Sequence, residues 1–549
     1  MIFLSAVLAC SSLIAPSQET IAPQPRLVVV IGVDQMIPEQ LDRLAPFFTG
    51  GYGRFVQSGL NYRSAQLEHS KTETGPGYAT LGTGCHPKTN GIVANAWFKP
   101  DGTGYTYCVG DAESKLVVGS DLPPSTGSGV SPRNLRVPAL GDWLKGSDPE
   151  SLVVSLAGKD RAAVGMGGRQ PDLCLWWNKS MAGFASSDWY AEELPGWVEN
   201  WNGEVTSRVL DSEWGTLGWK LNLPENIESA GTAPDRRQGE SSRVSINRNL
   251  MVGHNETEPS QRRAILGAAA YRSPIVDQLT IEMARRSVEE LKLGADEHPD
   301  LLMLGLSACD VIGHGFGPYS TEVTDLLLRI DVELGLFFDY LDETVGVDQW
   351  SAVLTADHGV LMLPEEGQKR GINATRLATA SSAFAAAHEH VQAEYGQDFI
   401  AMISETGIRL DLAALEAAQV NPAEVRASLA AVMSKASWME RTFTLEELAS
   451  GNSSEDAFLR LAQNCYDAER SPDVVFQRRP WILFGPSSGT SHGSPYGYDR
   501  RVPLVFLGAG IQPGRRFDSA STADVAPTVL VQLGIKVPAE MDGQALELR

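Results

Sequence analysis

The sequence predicts an α/β fold with a mostly parallel central sheet and helices on both faces. Apolar runs of strand length recur along the chain and alternate with stretches of helical periodicity. Strands that are apolar throughout, rather than at alternate positions, are typical of parallel strands covered on both faces. Acidic and imidazole side chains directly follow three of these runs, where the carboxyl ends of parallel strands form ligand sites.

The individual elements follow from length and periodicity. Strands are predicted near 27–33, 152–156, 301–306, 350–355 and 502–508. Amphipathic helices are predicted from Ile275 to Leu293 and from Thr321 to Glu343, because apolar residues recur there at helical spacing. A chain of 549 residues exceeds the usual single core, so either one enlarged domain with insertions or two to three domains are expected. We predict a single domain over residues 26–549 with insertions.

Two ranges interrupt the alternation of strands and helices. Residues 98–260 are rich in Gly, Pro, Trp and Ser, and residues 360–480 are rich in Ala and Glu with helical stretches at 377–395 and 412–436. The second range separates His358 from His492. We predict that both ranges are insertions that form a cap or crown near the site.

The charge of the chain excludes some partners. Its formal net charge is −23, which argues against binding to duplex nucleic acid and against electrostatic adhesion to anionic lipid. An anionic substrate stays compatible with this charge, because a local metal site can reverse the potential. We expect a monomer that acts on small molecules.

The first 22 residues predict an export leader. Met1 to Ala15 is mostly apolar and too short to span a membrane, which suits the apolar part of an export signal. Val7 to Cys10 also resembles a lipoprotein cleavage box, which would leave Cys10 lipidated. The expected location is therefore periplasmic or secreted, with a lipid anchor at Cys10 as the alternative mature form.

Six metal-binding side chains follow the predicted strands or stand near the C-terminus: Asp34, Asp310, His314, Asp357, His358 and His492. Oxygen and nitrogen ligands without cysteine suit Zn²⁺ or a similar divalent ion. The six cysteines include no C-x-x-C pair, and Cys309 is interpreted as a buried thiol. The remaining histidines are interpreted as structural or surface residues.

A hydroxyl residue before a Gly-Pro-Gly turn gives a second signal. Thr74 precedes Gly75-Pro76-Gly77 and a helix start, where backbone N–H groups and the helix dipole favour a phosphoryl group. A threonine hydroxyl attacks well only when a cation lowers its pKa. The alternatives are that Thr74 is a simple N-cap, or that Thr72 is the nucleophile.

Together these motifs resemble the alkaline phosphatase superfamily, in particular its nucleotide pyrophosphatase-like branch with a threonine nucleophile. Within that branch the chain is similar to the phosphate-irrepressible periplasmic alkaline phosphatases. The resemblance covers nearly the whole mature chain and rests on motifs in the expected order: Asp34, Thr74 to Gly77, Gly91 to Asn95, Lys159 to Arg161, Asp310 to His314, Leu354 to Gly359, Ser491 to Gly493 and Tyr498 to Pro503.

The resemblance implies roles for these residues. Thr74 matches the nucleophile, and two Zn²⁺ ions are expected. One would be held by Asp34, Asp357 and His358 and contact Thr74, and the other by Asp310, His314 and His492. Where relatives often have a histidine after the nucleophile, this chain has Gly77-Tyr78, for which we expect a packing difference.

The resemblance also matches Asn95, Lys159 and Arg161 to residues that bind phosphate oxygens. A monoester dianion exposes three non-bridging oxygens, whereas a diester replaces one of them with an organic group. Lys and Arg donors at those oxygens therefore favour monoesters.

The predicted function is a metal-dependent alkaline phosphatase that hydrolyses phosphate monoesters through a phosphothreonine intermediate. The main alternative is a phosphodiesterase or nucleotide pyrophosphatase that uses the same two-metal site. A sulfatase is a further alternative, since Cys85 to Lys88 resembles a formylglycine motif, although the expected Arg is missing. The last is an exported binding protein whose metals are structural.

Overall fold

The computed structural model describes residues 24–119, 128–211, 219–234, 237–241, 258–451, 455–485 and 487–549. The predicted leader at 1–22, including Cys10, lies outside the described residues. Within the described ranges, no helix has the length and apolar character needed to cross a bilayer.

The strands of the described ranges are assigned in chain order: β1 Leu27–Val33, β2 Leu60–Ala65, β3 Ala96–Phe98, β4 Tyr105–Tyr107, β5 Gly110–Val117, β6 Ser128–Val130, β7 Val153–Ala157, β8 Leu173–Asn178, β9 Gly183–Ser187, β10 Asp300–Leu306, β11 Trp350–Thr355, β12 Thr375–Leu377, β13 Ile400–Ser404, β14 Gly407–Leu410, β15 Met439–Thr444, β16 Val474–Arg478, β17 Ile482–Phe484, β18 Val505–Gly508 and β19 Gly514–Ala520. An eleven-stranded sheet forms the centre, in the order β19-β2-β18-β11-β1-β10-β7-β8-β9-β5-β6.

The middle of this sheet is parallel. β1 lies between β10 and β11 and pairs in parallel with both, and β7 and β8 continue the parallel set beyond β10. All residues of β1, β10 and β11 are buried, as their continuous apolar sequences predict. The flanks are mixed, because β18 is antiparallel to β11 and β9 is antiparallel to β8. The predicted α/β fold is confirmed, with antiparallel flanks added to the parallel centre.

The α-helices of the described ranges are Pro38–Leu44, Gly51–Ser58, Thr74–Thr83, Pro87–Asn90, Leu140–Ser147, Asp160–Gly167, Gly196–Asp211, Pro259–Tyr271, Ile275–Leu291, Ala308–Phe316, Thr321–Leu341, Pro364–Lys369, Ser381–Tyr395, Leu412–Ala418, Pro422–Met433, Leu445–Ala449, Ala457–Gln463, Gly497–Arg500 and Val525–Gln532. Helices cover both faces of the sheet. Val29 and Ile31 of β1 join the core that includes Ile275–Leu291 and Thr321–Leu341. Val28 and Val30 join the core on the other face, which includes Thr74–Thr83.

The two ranges predicted as insertions differ in their structure. Within 360–480, strands β13, β14, β16 and β15 form a separate four-stranded antiparallel sheet, and the helices Ser381–Tyr395 and Pro422–Met433 share a hydrophobic core with it. Its strands were not predicted, because short, partly exposed strands lack a continuous apolar run. The 98–260 range instead supplies β7 and β8 to the parallel centre, so a large part of it is built into the main sheet.

The four-stranded unit is attached to the loop that precedes Thr74. The backbone N–H of Ser70 donates to the Leu461 carbonyl at 3.0 Å, and the Asn464 side chain donates to the Glu68 carbonyl at 2.6 Å. The backbone N–H of Lys71 points at the Cys465 sulfur at 3.3 Å. Residues late in the chain therefore hold the loop that leads to Thr74.

Candidate active site

The acidic and histidine residues predicted from the sequence meet at the carboxyl edge of the parallel centre. Asp34 directly follows β1, and its backbone N–H donates to the last carbonyl of β10, that of Leu306, at 2.9 Å. Asp310 and His314 lie one turn apart on the helix Ala308–Phe316 that follows β10. Asp357 and His358 follow β11. Because β10, β1 and β11 are adjacent and parallel, these three segments end side by side.

Two overlapping groups of donor atoms result. Asp310, His314 and His492 offer one atom each within 4.8 Å of one another, and so do Asp34, Asp310 and His358. Asp357 joins the second group, since its Oδ2 lies 3.3 Å from His358 Nε2. The structure thus brings all six predicted ligands together. It also puts Asp310 in contact with both groups, whereas the sequence assigned it to one.

Three backbone carbonyls orient the imidazole rings. Nδ1 of His314 lies 2.8 Å from the Thr490 carbonyl, that of His358 lies 2.9 Å from the Gly359 carbonyl, and that of His492 lies 2.6 Å from the Thr72 carbonyl. A ring that donates from Nδ1 has a free lone pair on Nε2. Each histidine therefore presents a metal-binding nitrogen to the centre of the site.

Two of the three buried carboxylates of this site have raised pKa values. Burial also raises the pKa of Asp310, but His314 and Lys159 outweigh burial and lower it. Burial raises the pKa of Asp34 well above its usual value, and the neighbouring Asp310 and Asp357 raise it further. Burial likewise raises the pKa of Asp357 to about 7. Asp357 Oδ2 and His358 Nε2 are buried without a hydrogen-bond partner among the residues that the structure describes. Buried charges need paired partners or metals, so this set of oxygen and nitrogen donors fits divalent cations such as Zn²⁺.

The Thr74 hydroxyl lies among the predicted phosphate-binding residues. It accepts hydrogen bonds from Lys159 Nζ at 3.4 Å and from Arg161 Nη2 at 3.2 Å. Asn95 Oδ1 accepts a hydrogen bond from the backbone N–H of Gly75 at 2.7 Å. Thr74 is the first helical residue rather than the N-cap, which is Glu73, and this position frees its hydroxyl. The structure therefore gathers Thr74, Asn95, Lys159 and Arg161.

Thr72, the rival nucleophile, has a structural position. Its hydroxyl donates to the Ser494 carbonyl at 3.0 Å and accepts from the backbone N–H of Gly493 at 3.0 Å. The carbonyl of Thr72 also accepts a hydrogen bond from His492 Nδ1. Thr72 therefore anchors the loop that holds His492.

Lys159 and Arg161 are not a solvated pair. Lys159 is 4% exposed, and its ammonium lies 2.6 Å from Asp34 Oδ2 and 2.5 Å from Asp310 Oδ2. Burial lowers the pKa of Lys159, but Asp310 and Asp34 outweigh burial and raise it. Burial also lowers the pKa of Arg161, and Tyr107 and Asp34 raise it above its usual value. Both side chains stay cationic beside Thr74.

Two further residues orient the ligands and were missed from the sequence. Gln35 adopts a left-handed backbone, with φ of 73°. Its backbone N–H donates to Asp357 Oδ1 at 3.1 Å, and its side-chain amide donates to Asp310 Oδ1 at 2.7 Å. Asp277 accepts hydrogen bonds from the backbone of Ser307 at 2.7 Å and Ala308 at 3.0 Å, which fixes the start of the helix that bears Asp310. The position of Gln35 next to Asp34 was a signal, whereas Asp277 left none.

Gly77 and Tyr78, which stand where relatives often have a histidine, have a packing role. The Tyr78 side chain is buried, and its hydroxyl donates to the Gly32 carbonyl of β1 at 2.9 Å. A Cβ at position 77 would lie 2.2 Å from the Asp357 carbonyl oxygen, so a glycine is needed for the Thr74 helix to approach the Asp357 segment.

Cys85 and Cys309, the two cysteines singled out in the sequence, do not take part in the proposed chemistry. Cys85 follows the far end of the helix Thr74–Thr83, ten residues long, about 15 Å from Thr74 along the helix axis. Its thiol donates to the Glu540 carbonyl at 3.4 Å, which contradicts a sulfatase nucleophile at this position. Cys309 is buried in the hydrophobic core, as predicted. Among the described residues, the other cysteines are free thiols.

Comparison with known proteins gives a consistent result. The family model for type I phosphodiesterases/nucleotide pyrophosphatases matches residues 28–494. The chain is 28% identical to alkaline phosphatase PhoV of Synechococcus elongatus over 98% of this chain and 97% of that one. It is 30% identical to alkaline phosphatase PhoK of a Sphingomonas species over 96% and 92% of the two chains. It is 27% identical to alkaline phosphatase PafA of Elizabethkingia meningoseptica over 99% and 98%.

The crystal structure of wild-type PafA superimposes with a TM-score of 0.85, at 26% identity over 96% of this chain and 99% of that one. A second PafA structure carries substitutions of one threonine, one asparagine, one lysine and one arginine. That threonine and asparagine are separated by as many residues as Thr74 and Asn95, and the lysine and arginine by as many as Lys159 and Arg161.

Proposed function

Because the chain belongs to the type I phosphodiesterase/nucleotide pyrophosphatase family, we propose that it acts within that family as an alkaline phosphatase, a hydrolase of phosphate monoesters. Relatives named alkaline phosphatases align with it over nearly its whole length. The observation that favours monoesters over diesters is the pair of cations at the nucleophile. Lys159 and Arg161 both reach the Thr74 hydroxyl, at 3.4 and 3.2 Å.

The proposed reaction has two steps at phosphorus. The Thr74 oxygen attacks, a bond from Thr74 Oγ1 to phosphorus forms, and the bond from phosphorus to the ester oxygen breaks, which releases the alcohol. Water then attacks the phosphothreonine, breaks the same Oγ1 bond and releases inorganic phosphate. Asn95, Lys159 and Arg161 donate to the non-bridging oxygens, where negative charge is concentrated during each transfer.

Two divalent cations, which we propose are Zn²⁺, would be held by Asp34, Asp357 and His358 and by Asp310, His314 and His492. When bound, they supply Lewis-acid chemistry that lowers the pKa of the attacking hydroxyl and offsets charge on the departing oxygen. The protein keeps the ligands in place through the carbonyls that fix the three imidazoles and through Gln35, which donates to Asp310.

The solved PafA variant supports treating four residues as one unit. Its substituted threonine, asparagine, lysine and arginine match Thr74, Asn95, Lys159 and Arg161 in type and in spacing. In this chain the other three side chains lie within hydrogen-bond reach of Thr74 or of the first turn of its helix.

The deciding experiment compares kcat/KM for a nitrophenyl phosphate monoester and the matching bis-nitrophenyl diester. The wild type should prefer the monoester, and the Lys159→Ala/Arg161→Ala variant should lose that preference while it retains diester hydrolysis. An Arg515→Ala/Lys536→Ala variant, which changes two exposed cations, is the matched control. A monoester preference that survives the Lys159/Arg161 change would refute this choice. A wild type that prefers the diester would indicate the phosphodiesterase alternative.

We also propose that the protein is exported to the periplasm or beyond and acts there as a monomer. The apolar segment from Met1 to Ala15 within the predicted leader at 1–22 supports export. N-terminal sequencing of the mature protein from fractionated cells would test this, since a blocked, lipid-modified Cys10 would identify the anchored form. Light scattering after size-exclusion chromatography would test the monomer.

A further inference from the structure

A small hairpin connects two of the proposed phosphate-binding residues. Strands β3 and β4 pair antiparallel, with Ala96 opposite Tyr107. Asn95 precedes β3, and its carbonyl accepts a hydrogen bond at 2.9 Å from the backbone N–H of Cys108, which follows β4. Asn95 and Tyr107 therefore stand side by side at the open end of the hairpin, where the backbone of Asn95 is bonded to that of Cys108.

Tyr107 reaches the segment that bears Lys159 and Arg161. Its hydroxyl donates to Asp160 Oδ1 at 2.6 Å. The same oxygen accepts the backbone N–H of Arg161 at 2.7 Å, and Arg161 Nη2 lies 3.2 Å from the Thr74 hydroxyl. The hydroxyl of Tyr107 is thus linked through one carboxylate to the backbone of Arg161, and it also lies within hydrogen-bond reach of the Arg161 side chain.

Arg161 needs such support more than a short side chain would. A long guanidinium side chain loses much rotamer entropy when it is held in one conformation. Within the described residues, the Nε of Arg161 is buried without a hydrogen-bond partner. The hydrogen bonds of the guanidinium therefore do not hold it in place fully. Tyr107 also lies close enough to raise the pKa of Arg161 against the effect of burial.

We propose that Tyr107 is a positioning residue that holds Arg161 at the phosphoryl site, through Asp160 at the backbone of Arg161 and through its own hydroxyl at the guanidinium. The inference rests on the proposed function and deepens it, because it names a residue that determines affinity for the phosphate group. The hairpin thus holds Asn95 at its own end and supports Arg161 through Tyr107. Two of the three proposed phosphate-binding residues, Asn95, Lys159 and Arg161, therefore depend on the same hairpin.

A purely structural role for Tyr107 makes a different prediction. Asp160 lies in the first turn of the helix Asp160–Gly167, and the hydroxyl of Tyr107 could serve only to stabilise that turn. In that case its removal would lower the melting temperature and would affect phosphate binding equally whether or not Arg161 is present.

The test is a double-mutant cycle on the full-length, zinc-loaded protein, with binding of inorganic phosphate measured by isothermal titration calorimetry. Tyr107→Phe should weaken phosphate binding about tenfold, as expected when a hydrogen bond that orients a charged group is lost. In an Arg161→Ala background the same change should alter the Kd less than about twofold, because residues that act through one another are not additive. Asp160→Ala, which removes the oxygen that accepts from Tyr107 and from the backbone N–H of Arg161, should also weaken phosphate binding.

Tyr105→Phe is the matched control, since Tyr105 lies on the same strand and is 50% exposed. It should leave phosphate binding unchanged. Equal losses from Tyr107→Phe in both backgrounds, no loss at all, or a wild type that binds no phosphate would each overturn the inference. Calorimetry needs no turnover, so a protein that binds phosphate through Tyr107 but fails to hydrolyse monoesters would refute the proposed function alone.

Discussion

Substitution of Gly77 by Ala is the sharpest test of how closely the nucleophile helix must approach the metal ligands. The new Cβ would lie 2.2 Å from the Asp357 carbonyl oxygen, whereas ordinary contact begins at 3.4 Å, so one backbone must move by about 3.4 − 2.2 = 1.2 Å. Both atoms that collide belong to rigid segments, since Gly77 lies in the first turns of the helix Thr74–Thr83 and Asp357 follows β11. The displacement therefore separates Thr74 from Asp357 and His358.

A misplacement of about 1 Å between reacting groups costs about a hundredfold in rate, and crowding in a packed interior costs about 1–3 kcal/mol of stability. We therefore expect Gly77→Ala to lower kcat/KM for a nitrophenyl phosphate about a hundredfold and to lower the Tm. Gly146→Ala is the control, because a Cβ there has no neighbour within 4 Å. That variant should keep wild-type activity and gain slightly in stability, since alanine is favoured over glycine within a helix. A Gly77→Ala enzyme with wild-type kcat/KM would refute the close approach.

Three further predictions follow from other parts of the site. Thr74→Ala should lower activity by more than about a thousandfold and abolish covalent labelling with phosphate in a single turnover, because the nucleophile of a covalent route is gone; full activity would exclude Thr74. Gln35→Ala should weaken zinc binding about 10–100-fold in a chelator competition, since its amide orients Asp310, and unchanged affinity would contradict this role. Burial lowers the pKa of His69 to about 3, with His86 and Arg500 adding to the effect. A group whose pKa is lower in the folded than in the unfolded state stabilises the protein fully above the unfolded value, near 6.5 for histidine, and this stabilisation is lost as pH falls. Between pH 7 and pH 5 the free energy of unfolding of His69→Leu should therefore fall by about 2 kcal/mol less than that of the wild type. Urea titrations at the two pH values would measure this difference.

The sequence predicted the parts of the site that are marked by local pattern. Asp34, Asp310 and Asp357 each follow a buried apolar run, and in a parallel sheet that order along the chain becomes proximity in space. Thr74 was marked by the glycines and proline that follow it. In these cases the candidate site residue is close in the sequence to the strand or helix that positions it.

What the sequence did not predict depends on contacts between distant segments. Asp277 holds the start of the Ala308–Phe316 helix from a different helix, so no spacing marks it. The contact of Asp310 with both donor groups depends on the relative positions of three loops. The antiparallel direction of β18 was missed, although a strand near 502–508 was predicted, because direction depends on how the chain connects and not on composition. The strands of the four-stranded unit were missed because they are short and most of them are partly exposed.

The hydrogen bonds between the loop before Thr74 and residues Leu461 and Asn464 also bear on when, during synthesis of the chain, the site can form. A ribosome delivers the nucleophile, the phosphate donors and five of the six ligands long before it delivers these residues and His492. An unfinished or truncated chain would therefore contain Thr74 without the support and the last ligand that surround it in the folded protein. We therefore expect the site to stay incomplete, and the chain inactive, until the residues up to His492 have been synthesised.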